Sequence, residues 1–552
     1  MSMKKFYAFA MAAVMCTAAV PVCAMPVSAA EVLAEEEPET PDWLTTGTFS
    51  SFAELYDAKK DSSFKMSGKT YQRGIVFGYG STSSRAFRET AEYDDSKIKK
   101  LTFYAGHVDN TVLNDGSIVI KLDGAETETI DIAANGNAKQ VELDVSKASK
   151  LILEANINQG GGQIAAANFS IDGSQVEFPA SAPKYSPPEQ ALAGSFNRLN
   201  TEIYSKTDKS TSFKMQGKTF YQGAVFSGGG YYDSNTSSLI INTENAKKIG
   251  FTVGHIDNSQ MTGGTLKIFR DNVYDEEATV ELTPSTLLQN VELDVSDTDC
   301  LMICMERERN SSYGIGDVSL DGKACAVPGV TPAAGKPEQL LKAAFNKTGT
   351  EIYEGADKSK SFKSIDRSYY QGIVFSKGIT DKEKGITVSE LMMNVEKYKE
   401  ISFTALHVDN TGMSDAVLKI YLDGELTEDN TITLTGSQLP KEYKVDVSDV
   451  TLMRIVAEYK SDSKFALGSF AADTGKAAIA CTVPNYTTPE KMLAAAFNST
   501  RVKFYSKGDK SEAFRMRGTA YNTAVRSARR SGRCVFSESS ARRSGCGASC
   551  IR

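Results

Sequence analysis

The stretch Leu101-Thr-Phe-Tyr-Ala-Gly-His-Val-Asp-Asn110 decides the fold, because it returns as Ile249-Gly-Phe-Thr-Val-Gly-His-Ile-Asp-Asn258 and as Ile401-Ser-Phe-Thr-Ala-Leu-His-Val-Asp-Asn410. In each copy a short apolar run with the alternation of a half-buried strand leads to the polar corner His-x-Asp-Asn. The corners hold all three histidines of the 552-residue chain. They lie about 150 residues apart, the length of an ordinary domain, so the period reads as a repeated domain.

Other words recur in fixed order around this stretch. Each repeat opens on a proline-led segment: Pro41-Asp-Trp-Leu44, Pro188-Glu-Gln-Ala-Leu192, Pro337-Glu-Gln-Leu-Leu341 and Pro489-Glu-Lys-Met-Leu493. Proline at the first helical position and an acid in the first turn predict a short helix joining one domain to the next. A phenylalanine follows (Phe49, Phe196, Phe345, Phe497), with asparagine after it in the last three. Then come Ser63-Phe-Lys-Met-Ser-Gly-Lys-Thr-Tyr71 and its counterparts from Ser212 and Ser361, alternating about a turn as a hairpin requires, and Gly74-Ile-Val-Phe77, Gly223-Ala-Val-Phe226 and Gly372-Ile-Val-Phe375. A variable loop follows, glycine-rich at Gly78-Tyr-Gly80 and Gly228-Gly-Gly-Tyr-Tyr232; neither Lys-Ser/Thr nor a helix comes after it, so it is not a phosphate loop. Beyond the corner, strands such as Ile118–Leu122 and Val141–Val145 end in turn residues. Many short strands punctuated by turns predict tandem antiparallel β-sandwiches.

The predicted boundaries are a signal peptide at 1–30, an acidic lead-in at 31–40, repeats at 41–182, 183–331 and 332–484, the start of a fourth repeat at 485–525 and an Arg/Ser/Cys-rich tail at 526–552. The signal rests on Lys4 and Lys5, an apolar run from Phe6 and small residues at Val27-Ser-Ala-Ala30. Pro21 and Pro26 break that run before it reaches membrane-spanning length, so the protein is expected to be secreted, free or attached to the cell surface, with no transmembrane segment after signal removal. The fourth repeat loses its resemblance after about Asn522, and the tail switches from lysine to arginine. This reads as a truncated domain followed by a shifted frame; a cationic tail for an acidic surface is the alternative. With a formal charge of −7 and interspersed signs, nothing points to nucleic acid. Of nine cysteines, Cys300, Cys304, Cys325 and Cys481 fall in the body and none in the first repeat. Cys325 and Cys481 stand where repeat one has valine, a small apolar role, while a disulfide from Cys300 to Cys304 or Cys325 is open in an exported chain.

The words Tyr-Gln-Gly-Ile-Val-Phe (370–375), Phe-Thr-Val-Gly-His-Ile-Asp (251–257), Lys-Ile-Tyr-Leu-Asp-Gly (419–424) and Leu-Asp-Val-Ser (293–296), in this order and repeated, resemble the NPCBM family of carbohydrate-binding modules. The resemblance covers about Thr45 to Val483 in three copies. It implies a jelly-roll sandwich of the galactose-binding-domain kind and a glycan or polysaccharide ligand. The family's aspartate corresponds to Asp109, Asp257 and Asp409; its binding residues are not carried over.

Three chemistries are open for the corners His107/Asp109/Asn110, His255/Asp257/Asn258 and His407/Asp409/Asn410. A catalytic pair lacks a recurring nucleophile, so no catalytic residue is expected. A structural Ca²⁺ would use Asp109, Asp257 and Asp409 with further oxygens. In the third reading Asp caps a turn, Asn adopts the left-handed conformation and His packs under a tyrosine. Sugar binding calls for exposed aromatic faces beside amides or carboxylates, which singles out Tyr231 and Tyr232 in the variable loop and the pairs Tyr221/Gln222 and Tyr370/Gln371, set against the habit of strand tyrosines to be half-buried walls. The leading expectation is a non-catalytic array binding glycans multivalently. The alternatives are the accessory N-terminal region of a longer glycoside hydrolase, and a structural surface stalk.

Overall fold

The computed structural model describes residues 43–57, 62–81, 85–94, 97–174, 179–205, 209–227, 235–333, 335–355, 358–473, 475, 479, 481–496, 502–505 and 512–527. The expected signal, acidic lead-in and nearly all of the tail, as well as Tyr231 and Tyr232, lie outside them. The chain separates into two units, Met1–Thr46 and Gly47–Arg552. In the first, the described residues form one 3₁₀ turn, Trp43–Thr46, closed by the Thr46 hydroxyl donating to the Trp43 carbonyl at 2.7 Å.

The second unit is all-β: tandem antiparallel sandwiches separated in sequence by short helices. In repeat one the strands are β1 (Thr48–Phe49), β2 (Ala53–Tyr56), β3 (Phe64–Met66), β4 (Lys69–Tyr71), β5 (Gly74–Phe77), β6 (Phe87–Asp94), β7 (Lys100–His107), β8 (Gly116–Leu122), β9 (Ala125–Ile132), β10 (Lys139–Asp144), β11 (Lys150–Ile157) and β12 (Ile164–Ile171). One sheet runs β1-β6-β11-β8-β9 and the facing one β10-β7-β12-β5-β2. The same order recurs in repeats two and three, and repeat three adds a strand, Ile379–Asp381, on Ile386–Asn394. Alternation does what it predicts in β7, where Leu101, Phe103 and Ala105 are buried between the sheets and Thr102 and Tyr104 are not.

Strands β5 and β12 are buried on both faces, Gly74–Phe77 and Ile164–Phe169 throughout. The outer face is covered by the β3–β4 hairpin through an aromatic ladder. Tyr56 meets Phe64 edge-on at 4.9 Å and Phe64 stacks on Tyr71 at 5.8 Å. Tyr204–Phe213–Phe220, Tyr353–Phe362–Tyr369 and Tyr505–Phe514–Tyr521 repeat it. Such ring pairs contribute beyond their buried area, so the hairpin is a lid with its own small core.

The helices α1 (Pro188–Ala193) and α2 (Pro337–Lys342) pack onto strands of the sandwich that they open. They bury Leu192, and Leu340 with Leu341. In α3 (Pro489–Ala494) no residue is buried and Met492 is 65% exposed. Cys300, Cys304 and Cys325 are buried and Cys481 half-buried, all as free thiols, so neither of the two pairings left open is made. Burial without bonding matches the apolar role that exchange with valine implied.

Candidate functional site

The three His-x-Asp-Asn corners are built alike. The Asp109, Asp257 and Asp409 amides donate to the carbonyls of Lys65, Lys214 and Lys363, tying the end of the histidine strand to the covering hairpin. Their carboxylates then cap the hairpin turn. Asp109 accepts from the Gly68 amide at 2.8 Å, Asp257 from Gly217 at 2.9 Å, and Asp409 from Ile365 and Asp366, both at 2.7 Å. Asn110, Asn258 and Asn410 follow in the left-handed region, φ 60°, 59° and 61°, which asparagine tolerates. A hydroxyl completes each corner: Thr111, Ser259 and Thr411 donate to the carbonyls of Val108, Ile256 and Val408, each at 2.8 Å.

Each histidine is buried, and its Nε2 lies within hydrogen-bonding distance of a carbonyl five residues on: Val112 (3.1 Å), Gln260 (2.9 Å) and Gly412 (2.5 Å). A carbonyl only accepts, so Nε2 carries a proton and is the donor in each ring. Burial lowers the pKa of His107 and His255, against the carbonyl contacts. His255 packs edge-on against Tyr313 at 5.0 Å and His407 against Phe465 at 4.9 Å, while His107 is paired with Ile164 across the sheet. Burial raises the carboxyls of Asp109 and Asp257 to about 7 despite the turn amides, and it raises Asp409 as well. Among the described residues no group of three or more His, Cys, Asp or Glu is placed to hold a metal. Each corner brings one carboxylate, largely engaged with amides, rather than the six to eight oxygens that Ca²⁺ takes.

The expected tyrosine–glutamine pairs divide. Gln222 and Gln371 are buried. The Gln222 Oε1 accepts from the Val318 amide at 2.8 Å, and Gln371 both accepts from the Phe470 amide (2.6 Å) and donates to the Phe470 carbonyl (2.9 Å). They pin the bulge at which Asp317 and Ser469 turn to positive φ, 51° and 50°, so these amides face backbone and not solvent. Tyr221 and Tyr370 are half-buried. The Lys209 ammonium sits over the Tyr221 ring at 5.4 Å, and the Tyr370 hydroxyl accepts from Thr482 at 2.8 Å.

Among the described residues, one pair of exposed aromatics stands at the variable loop of repeat one. Tyr79 is 49% and Phe52 41% exposed. The Gly78 and Tyr79 amides both donate to the Phe52 carbonyl (2.9 and 3.0 Å), and Phe87 supports the Phe52 ring edge-on at 6.2 Å. Gly78, at φ 86°, is needed because a Cβ there would lie 2.7 Å from the Gly162 carbonyl oxygen. Tyr56 donates to Glu54 at 3.2 Å, and burial, then Glu54 and nearby Tyr79, push its pKa up to about 12. The Glu-x-Tyr pair recurs as Glu202/Tyr204 and Glu351/Tyr353. The sequence signal was in hand, Gly78-Tyr-Gly80 and three Glu-x-Tyr words. It went unread because only the fold brings β2 beside the loop after β5. A cleft of about 550 Å³ also opens where repeat two meets repeat three. Asn258, Gln260, Met261, Lys347, Ile379 and Glu390 line it, Glu390 being held by Arg454 at 2.9 and 2.6 Å.

No protein-family model matches the chain, and no curated protein matches it. Solved structures do. One contains the M60 catalytic domain with the CBM51-1 and CBM51-2 domains of Clostridium perfringens ZmpB, at 11% identity and TM-score 0.17, covering 74% of this chain and 55% of that one. The chain therefore spans little more than half of that protein's structure. A second is CBM51 from Clostridium perfringens GH95 in complex with methyl-galactose, at 16% identity and TM-score 0.17, covering 24% and 98%. A third is the CBM22-1–CBM22-2 tandem of Paenibacillus barcinonensis Xyn10C, at 12% identity and TM-score 0.16, covering 50% and 92%.

Proposed function

We propose that the chain is an exported, non-catalytic array of NPCBM-like β-sandwiches that binds glycans. The observation that carries the reading is the exposed Tyr79/Phe52 surface beside the Glu54–Tyr56 pair. An aromatic face takes the apolar side of a pyranose ring, and the adjacent half-buried Glu54 carboxylate, held by Tyr56, takes its hydroxyls. The family resemblance of the repeated words supports it, as does the use of all three histidines as buried, backbone-bonded donors rather than as bases. Among the described residues no helix is long and apolar enough to cross a membrane. Repetition lets weak single sites add through effective concentration. Glycan-array screening of the full chain, then titration of the best polysaccharide against wild type and Tyr79→Ala, tests the reading. Binding that falls at least tenfold in the variant with unchanged melting is the expected result; silence across host and bacterial glycans overturns it.

A further inference from the structure

We propose that the first two His-x-Asp-Asn corners are docks for the Phe-Asn pair that opens the following repeat, so that repeats one, two and three are fixed to one another instead of swinging on their linkers. At the first junction the Asn110 amide donates to the Asn197 side-chain oxygen at 3.3 Å, and the Asn197 side-chain nitrogen donates to the Ala134 carbonyl at 2.7 Å. At the second, the Asn258 amide donates to the Asn346 side-chain oxygen at 2.9 Å, and the Asn346 nitrogen faces His255 Nδ1 at 3.4 Å. With its proton on Nε2, His255 presents Nδ1 as the acceptor. Both docked asparagines are almost fully buried and left-handed, φ 47° and 48°.

The phenylalanine before each is buried with them, and the preceding repeat's hairpin glycine makes room. A Cβ at Gly68 would lie 2.8 Å from Asn242 Cβ and 3.2 Å from Phe196 Cε1; one at Gly217 would lie 3.3 Å from Asn394 Cβ and 3.4 Å from Phe345 Cδ1. Further ties differ between junctions. Asn242 donates to the Ser67 carbonyl at 2.8 Å and Asn137 to Asp271 at 2.9 Å in the first, whereas Met261 and Leu287 pack on Phe345, Met392 and Leu452 in the second. The shared part is the corner amide, the asparagine and the phenylalanine.

Hydrogen exchange on the full chain tests this amide by amide. Asn346→Ala should speed exchange of the Asn258 amide at least tenfold, and Asn346→Asp, which keeps the acceptor oxygen, should restore most of the protection. Asn197→Ala should do the same to Asn110. Protection of Glu400–His407 and Lys248–His255, read in the same spectra, shows that the sandwiches stay folded; Gly68→Ala attacks the first junction from the other side and should loosen Asn110. Unchanged exchange at Asn110 and Asn258 in folded variants overturns the dock.

Discussion

The His-x-Asp-Asn corner and the loop after β5 sit in the same sandwich and follow opposite rules. The corner keeps its residues in three repeats and turns them inward: a carboxylate oxygen on a turn amide, imidazole on a carbonyl, hydroxyl on the strand end, with Asp109 Oδ1 and His107 Nδ1 buried without a partner. The loop changes from Gly78-Tyr-Gly80 to Gly228-Gly-Gly-Tyr-Tyr232 to Ser376-Lys-Gly378, and it leaves Tyr79 and Ile379 in solvent. Within a tandem array, repeated polar chemistry marks the joints, and variation marks the surface free to meet a ligand.

Three substitutions, led by the one with the largest expected effect, and one condition break or sharpen this contrast. Phe213→Ala removes the centre of an aromatic ladder under the constant region and should cost about 3–5 kcal/mol, seen by calorimetry as a lower-melting transition with glycan binding at repeat one intact. Tyr79→Ala acts on the variable side, with a loss of about 1.4 kcal/mol in affinity, tenfold, and melting unmoved. Gly68→Ala strains a φ of +73° and meets Asn242 and Phe196; about 1–2 kcal/mol of stability should go, with binding unchanged. The condition is pH. The carboxyls of Asp109 and Asp257 are raised to about 7 from 3.8, so between about pH 4 and 7 the folded chain holds more protons than the unfolded one, and stability falls as pH rises through that window. The melting temperature should therefore drop from pH 5 to pH 7.5 by more in wild type than in Asp257→Asn; equal slopes would remove the buried carboxylate from the account.

Strand content was legible because a half-buried strand writes its burial locally, every second residue, as in Leu101, Phe103 and Ala105. Turn capping by aspartate and left-handed asparagine were legible for the same reason. The pairing of Tyr with Gln suggested a ligand site, yet Gln222 and Gln371 bond backbone 96 and 99 residues away, a distance at which adjacency leaves no local trace. The helices were expected to be the joints; they pack into the sandwich that they open, since Leu192, Leu340 and Leu341 need an apolar face of their own repeat.

The corner with which the reading began thus changes its meaning with the level at which it is viewed. By itself the sequence determined the tandem order of sandwiches and the turn chemistry, because alternation, glycine and left-handed asparagine act through the chain's nearest neighbours. Only the tertiary structure decided which polar groups are spent and which are offered. Asn110 finds Asn197 across 87 residues and Asn258 finds Asn346 across 88; such partners are chosen by how one sheet packs on the next, where each buried donor must meet an acceptor and an aromatic ring left outside remains for a ligand.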